Sequence, residues 1–79
     1  MSDVSERLTR VTARELRVPE SSITAASTFV EDLGADSLAL TRLAMALESE
    51  FGCTILDSEA AIVTTVDGMV KYIEGRLTA

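Results

Sequence analysis

The chain has 79 residues, a formal net charge of −6 and a sequence pI of about 4.4, which indicates one small domain and argues against binding to nucleic acid or anionic membranes. Histidine is absent and Cys53 is the single cysteine, which excludes Ser-His-Asp and Cys-His catalysis, histidine-ligated metals and an internal disulfide. With no long apolar run and no basic-then-apolar leader, the sequence predicts no membrane span and a cytoplasmic location.

The first predicted helix covers about residues 3–16, where Val4, Leu8 and Val11 recur at spacings of three and four. Pro19 ends this helix because the residue before a proline avoids the helical region. Another face of the helix carries a basic stripe that we interpret as solvated, made of Arg7, Arg10, Arg14 and Arg17.

Residues 18–36 are predicted to form a long loop, because the segment is rich in serine and threonine. A short helical turn can form within residues 20–24, and the loop is expected to be pinned to the core by Ile23, Phe29, Val30 and Leu33. Loops of this length in compact domains are often functional.

A second helix is predicted over residues 37–51. Asp36 is placed to cap its start, and Gly52 is placed to end it. Its core stripe consists of Leu40, Leu43, Ala44, Leu47 and Phe51. A different face has two apolar residues, Leu38 and Met45, which share it with polar side chains. We interpret that face as a docking strip, with Leu38, Thr41, Arg42, Met45 and Glu48 as its candidate partner-binding residues.

The remainder of the chain predicts two further helices. Residues 57–63 can form a short turn of helix, and Thr64 is expected to cap a last helix. That helix has a core stripe of Val66, Met69, Val70, Ile73 and Leu77. The predicted fold is therefore all-α, a small antiparallel four-helix bundle of three longer helices and one short helix with a long first loop, forming one domain over residues 1–79.

Ser37 is the candidate functional residue. It follows the loop glycine Gly34 and the capping residue Asp36, at an exposed junction where a helix starts. We therefore predict that Ser37 is modified by a transferred group, which the rest of the chain presents. No histidine, metal cluster or phosphate-cradling glycine loop accompanies it, so the chain is not expected to be an enzyme or to bind a metal.

Residues 29–38, Phe-Val-Glu-Asp-Leu-Gly-Ala-Asp-Ser-Leu, closely resemble the modification-site signature of acyl carrier proteins, whose core is Asp36-Ser37-Leu38. The similarity extends through residues 45–51, Ile55, residues 64–66 and residues 72–73. It implies that a phosphopantetheinyl transferase attaches 4′-phosphopantetheine to Ser37, and that the arm's thiol carries acyl groups as thioesters for fatty-acid, lipid or polyketide-type biosynthesis.

The resemblance also implies partners and a cargo cleft. Acyl-transferring and synthase enzymes with basic docking patches would bind a monomeric carrier, mainly through the second helix. This agrees with residues 31–59, which hold seven acidic residues and one basic residue. Family members can shelter the acyl chain between helices. The candidate cleft residues are Phe29, Leu43, Leu47, Phe51, Ile55, Ile62, Met69 and Ile73.

Departures from the family pattern lie next to the signature. Typical fatty-acid carriers have acids where this chain has Ala39 and Arg42, a hydrophobic residue in place of Thr41, and a proline in place of Leu56. These differences suggest a carrier for a dedicated pathway, with a housekeeping carrier as the alternative. Two further alternatives are an aminoacyl or peptidyl carrier and an unmodified acidic helical adaptor.

Overall fold

The computed structural model describes residues 3–78. Its helices are α1 (Asp3–Leu16), α2 (Ser37–Phe51), α3 (Asp57–Ala60) and α4 (Val66–Thr78), with a 3₁₀ helix at Glu20–Ser22 inside the long first loop. No β-strand forms within the described part of the chain, where Thr28 and Thr65 make an isolated antiparallel bridge. The predicted all-α bundle of three longer helices and one short helix is confirmed.

Helix α1 packs against both α2 and α4. It buries Leu8, Val11 and Thr12. The core is completed by side chains from the long loop and the other helices, which include Phe29, Leu33, Leu43, Leu47, Phe51, Ile55, Val66, Met69, Val70 and Ile73. The helical periodicity therefore predicted most of the core, because each long helix turns its apolar stripe inward. The prediction was wrong at Val30 of the loop and at Leu77 in the last turn of α4, which are 55% and 44% exposed.

Arg7 joins α1 to the end of α2. Its guanidinium donates to the Glu50 carboxylate (Nε to Oε2, 2.8 Å) and to the Glu50 carbonyl (Nη2 to O, 2.7 Å), and it lies 4.6 Å from the centroid of the Phe51 ring. The hydrogen bond to Glu50 raises the pKa of Arg7. Reading the whole arginine stripe as solvated was therefore wrong at Arg7, because a partner distant in sequence occupies its side chain.

The long loop is fixed to the start of α4 by backbone hydrogen bonds. Carbonyls of Ala25 and Ser27 accept from the amides of Asp67 and Val66, both at 2.9 Å. These bonds satisfy donors that the first turn of a helix leaves free. Thr65, and not the expected Thr64, caps α4 with its side chain, since its hydroxyl accepts from the Gly68 amide at 3.1 Å.

Candidate functional site

The loop before α2 is tightly wound and ends at Ser37. Asp32 holds its base, because one carboxylate oxygen accepts from the Thr28 amide at 2.8 Å. Gly34 has a φ of 73°, in the left-handed region that glycine adopts without strain. The Ala35 amide then donates to the Phe29 carbonyl at 2.9 Å, and Ala35 is buried. This anchoring fixes where the chain emerges to start α2.

Asp36 is the N-cap of α2, as predicted. Its backbone is extended, and its Oδ1 accepts from the Ala39 amide at 2.8 Å. Ser37 is the first helical residue and is exposed. Its hydroxyl forms no hydrogen bond with any residue in the range 3–78. The hydroxyl is thus accessible at the positive end of a long helix, where a negatively charged group is stabilised.

Most of the docking strip lies on the surface. Leu38 and Met45 are each 63% exposed, and Thr41 and Arg42 are exposed between them. The Thr41 hydroxyl donates to the Ser37 carbonyl at 3.0 Å. Arg42 forms no ion pair with any described residue. The two exposed apolar side chains therefore flank an arginine that is available to a partner.

Glu48, the fifth residue predicted for the strip, differs from the other four. It is half-buried, and its Oε2 accepts a hydrogen bond from the Ile55 amide at 2.8 Å. The carboxylate is therefore engaged within the domain, which the sequence pattern did not indicate.

An apolar cavity of about 570 Å³ lies beside the first turns of α2. Its walls come from residues 28–31 of the loop, from α2, from residues 60–64 and from Met69 of α4. Thr41 lines the cavity and is bonded to the Ser37 carbonyl, so the cavity lies about one helical turn from Ser37. A chain attached at Ser37 would therefore start close to the cavity.

Four of the eight residues predicted for the cleft line this cavity: Phe29, Leu43, Leu47 and Met69. Three others, Phe51, Ile55 and Ile73, are buried in the core and do not line it. Ile62 was wrongly placed, because it is 81% exposed. Helix α3 ends at Ala60, and the turn that follows directs Ile62 outward, so the helical period does not extend to it.

Several residues that line the cavity were not predicted from the sequence. Leu40 and Ala44 belong to the same stripe of α2 as Leu43 and Leu47, so their spacing could have identified them. Ala60 and Val63 also line the cavity, but their neighbours in the sequence have no helical spacing that could have identified them.

The arrangement can hold and present an attached group. Within the described residues, no group of three or more histidine, cysteine, aspartate or glutamate side chains is placed to hold a metal ion. None of the helices of residues 3–78 is long and apolar enough to cross a bilayer. An exposed hydroxyl at a helix start beside an apolar cavity is the arrangement expected of a carrier-type domain, which displays a covalently attached group.

The sequence also matches a known protein family. Residues 6–73 match the family described as the phosphopantetheine attachment site, and this match covers most of the chain. The chain belongs to that family, which includes carriers of the acyl carrier protein type. Members bind 4′-phosphopantetheine covalently on a serine and act as non-catalytic carriers that interact with transferases and synthases.

Proposed function

We propose that this chain is an acyl carrier protein, with Ser37 as the attachment site of 4′-phosphopantetheine and Asp36 and Leu38 as its flanking recognition residues. The observation that carries the proposal is the exposed, unbonded hydroxyl of Ser37 at the start of α2, one turn from an apolar cavity. The proposal takes residues 1–79 as one monomeric carrier domain.

The other serines within the matched region fit this role less well. Ser27 is buried, and its hydroxyl accepts from the Thr24 amide at 3.0 Å. The Ser22 hydroxyl donates to the Pro19 carbonyl at 2.8 Å. Ser37 alone among the exposed serines of the described chain begins one of the three long helices and has the cavity nearby.

The residues around Ser37 fit a phosphodiester attached there. The amides of Ser37 and Leu38 in the first turn of α2 have no acceptor among residues 3–78, so they can face an anion together with the helix dipole. Asp36 fixes this turn by capping the Ala39 amide. When bound, 4′-phosphopantetheine supplies a flexible arm whose terminal thiol holds acyl groups as thioesters.

The cavity favours an acyl cargo over an aminoacyl or peptidyl cargo. Its walls include Phe29, Leu43, Leu47 and Met69, whose side chains offer apolar contacts, while the charged residue that also lines it, Glu31, is exposed to solvent. Burying a methylene group in such surroundings contributes about 0.8 kcal/mol. An alkyl chain would therefore gain from entering the cavity, whereas a charged amino group would lose its hydration.

The mass of the protein tests the attachment. Wild type incubated with coenzyme A, magnesium and a broad-specificity phosphopantetheinyl transferase should gain one phosphopantetheine group. Ser37→Ala should gain none, while Ser49→Ala, which removes another exposed serine of α2, should load like wild type. Failure of wild type to load would rule out the proposal and favour an unmodified adaptor, and loading of Ser37→Ala would rule out Ser37 as the attachment site.

We further propose that the carrier serves a dedicated biosynthetic pathway, in the cytoplasm. Helix α2 has no acidic residue in its first turn, and Arg42 is exposed and unpaired within the described residues. Basic patches on general fatty-acid enzymes would still be attracted by the acidic segment 31–59 but would meet a like charge at Arg42. The free thiol of Cys53 is compatible with a reducing compartment.

The double variant Ala39→Asp, Arg42→Glu tests this specialisation. It should increase turnover with a general ketosynthase or malonyl transferase, because it removes a like charge and adds two acids to the docking face. The single variant Arg14→Glu on α1 makes the same arginine-to-glutamate change as Arg42→Glu, but away from the strip, and should have little effect on turnover. Unchanged turnover of the double variant would favour a housekeeping carrier.

A further inference from the structure

Residues 60–64 form one wall of the cavity, and their position depends on the short helix α3 that precedes them, which has few apolar side chains to hold it in place. Helix α3 has only four residues, Asp57–Ala60, and it starts directly after Leu56. The Leu56 carbonyl accepts from the amides of Glu59 and Ala60 at 3.0 and 2.8 Å, so the position of Leu56 sets the position of α3. Residues Ala60, Ala61 and Val63 then form the wall.

Two consecutive backbone amides before α3 are held by side chains from two different helices. The Ile55 amide donates to the Glu48 carboxylate of α2 at 2.8 Å. The Leu56 amide donates to the Tyr72 hydroxyl of α4 at 3.3 Å. The same hydroxyl donates to the Glu59 carboxylate of α3 at 2.6 Å. The start of α3 is therefore linked to α2 on one side and to α4 on the other.

We propose that Glu48 and Tyr72 are positioning residues of the cargo cavity, which hold the wall of residues 60–64 across the space between α2 and α4. The inference rests on the proposed function, because the cavity is taken as the place where an acyl chain is sheltered. It changes the role of Glu48, which was predicted to contact partners through its charge. The geometry instead has its carboxylate accepting a backbone hydrogen bond inside the domain.

Amide hydrogen exchange of the full-length unmodified protein, followed by NMR, tests the two anchors directly. Glu48→Ala should accelerate exchange of the Ile55 amide by about tenfold, since an intramolecular hydrogen bond is lost. Glu48→Gln keeps an acceptor oxygen and should stay within about threefold of wild type. Tyr72→Phe should accelerate the Leu56 amide in the same way. Ser49→Ala, at the exposed position beside Glu48, should change neither amide.

Hydrolysis of an octanoyl thioester carried by the same variants tests the effect on the cavity. Glu48→Ala and Tyr72→Phe should lose the octanoyl group about threefold faster than wild type, because a loosened wall exposes the chain to water. Glu48→Gln should retain it like wild type. If Glu48 acted only through its charge in docking to a partner, neither variant would change hydrolysis of the isolated carrier.

The positioning role of Glu48 and Tyr72 and the carrier function can fail independently. Unchanged exchange at Ile55 in Glu48→Ala, or faster exchange without faster hydrolysis, would overturn the positioning role. Failure to load wild type would overturn the carrier function, while the exchange data would still decide whether the anchors exist. If Glu48→Ala does not fold, Tyr72→Phe and the Leu56 amide give the same test, because that variant removes only one hydroxyl group.

Discussion

Replacing Asp36 by alanine and by asparagine separates the two contributions that its carboxylate makes next to Ser37. Oδ1 caps α2 through the Ala39 amide at 2.8 Å, whereas Oδ2 has no partner among residues 3–78. Alanine removes the cap, which costs about 1 kcal/mol. For a domain of this size, this loss corresponds to a decrease in Tm of roughly 4–8 °C. Asparagine keeps an oxygen that can cap, so its Tm should fall by less than about 3 °C.

The rate of loading by the transferase should fall to the same extent in both variants, unlike the Tm, because Oδ2 of Asp36 is available to a basic side chain of that enzyme. An exposed ion pair contributes up to about 1 kcal/mol, so both variants should load about fivefold more slowly. Glu31→Gln removes one exposed charge near the cavity and serves as the charge-matched control. Thermal melting and the initial rate of mass gain are the two assays. A wild-type loading rate in Asp36→Asn would refute the role of the charge, and a wild-type Tm in Asp36→Ala would refute the role of the cap.

Three further predictions concern the core, the cavity and the response to pH. Thr12→Val should raise the unfolding free energy in urea by about 1 kcal/mol, because the buried Thr12 hydroxyl has no hydrogen-bond partner among the described residues; a decrease would mean that this hydroxyl is bonded. Ala44→Leu should fill part of the cavity and so displace part of a bound octanoyl chain into water. Hydrolysis of the octanoyl thioester should then be faster, on the order of fourfold for each methylene group displaced from the cavity. Ala46→Leu, on the same helix but outside the cavity, should not speed hydrolysis. The hydrogen bond to Glu59 is the main cause, and burial the second, of a pKa of Tyr72 above its ordinary value of 10.0. The protonated hydroxyl therefore stabilises the folded state. This contribution is complete below pH 10.0 and is lost as the pH rises through the folded-state pKa. Urea unfolding from about pH 9 to about pH 11 should therefore show a steeper loss of stability in wild type than in Tyr72→Phe, and equal slopes would contradict the assignment.

The bounds of α2 were predictable because local chemistry fixes both ends. Asp36 supplies a cap at the start, and Gly52 adopts a φ of 65° at the end, where its amide bonds to the Glu48 carbonyl at 2.8 Å. The apolar spacing between these two signals leaves one face for the core. Since Ser37 directly follows the cap, its exposed position at the helix start also followed from the sequence. Its chemical modification remains a prediction.

The contacts of polar side chains over long sequence separations were not predictable in the same way. Arg7 reaches Glu50, and Tyr72 reaches Leu56 and Glu59, but no periodic pattern relates these positions. The error at Ile62 has a related cause. A helical spacing was extended over residues 57–63, whereas α3 ends at Ala60.

Helix α2 therefore combines three tasks along its length, and this division bears on how partners would recognise it. Its first residue presents the hydroxyl of Ser37, and its exposed middle offers Leu38, Met45 and Arg42. Near its end, Glu48 bonds within the domain. Of the two charged residues of the docking strip, the cation is free and the anion is engaged. We expect acidic residues outside the strip, such as the exposed Glu31, to add to the attraction of a basic partner, and a cation opposite Arg42 to be repelled.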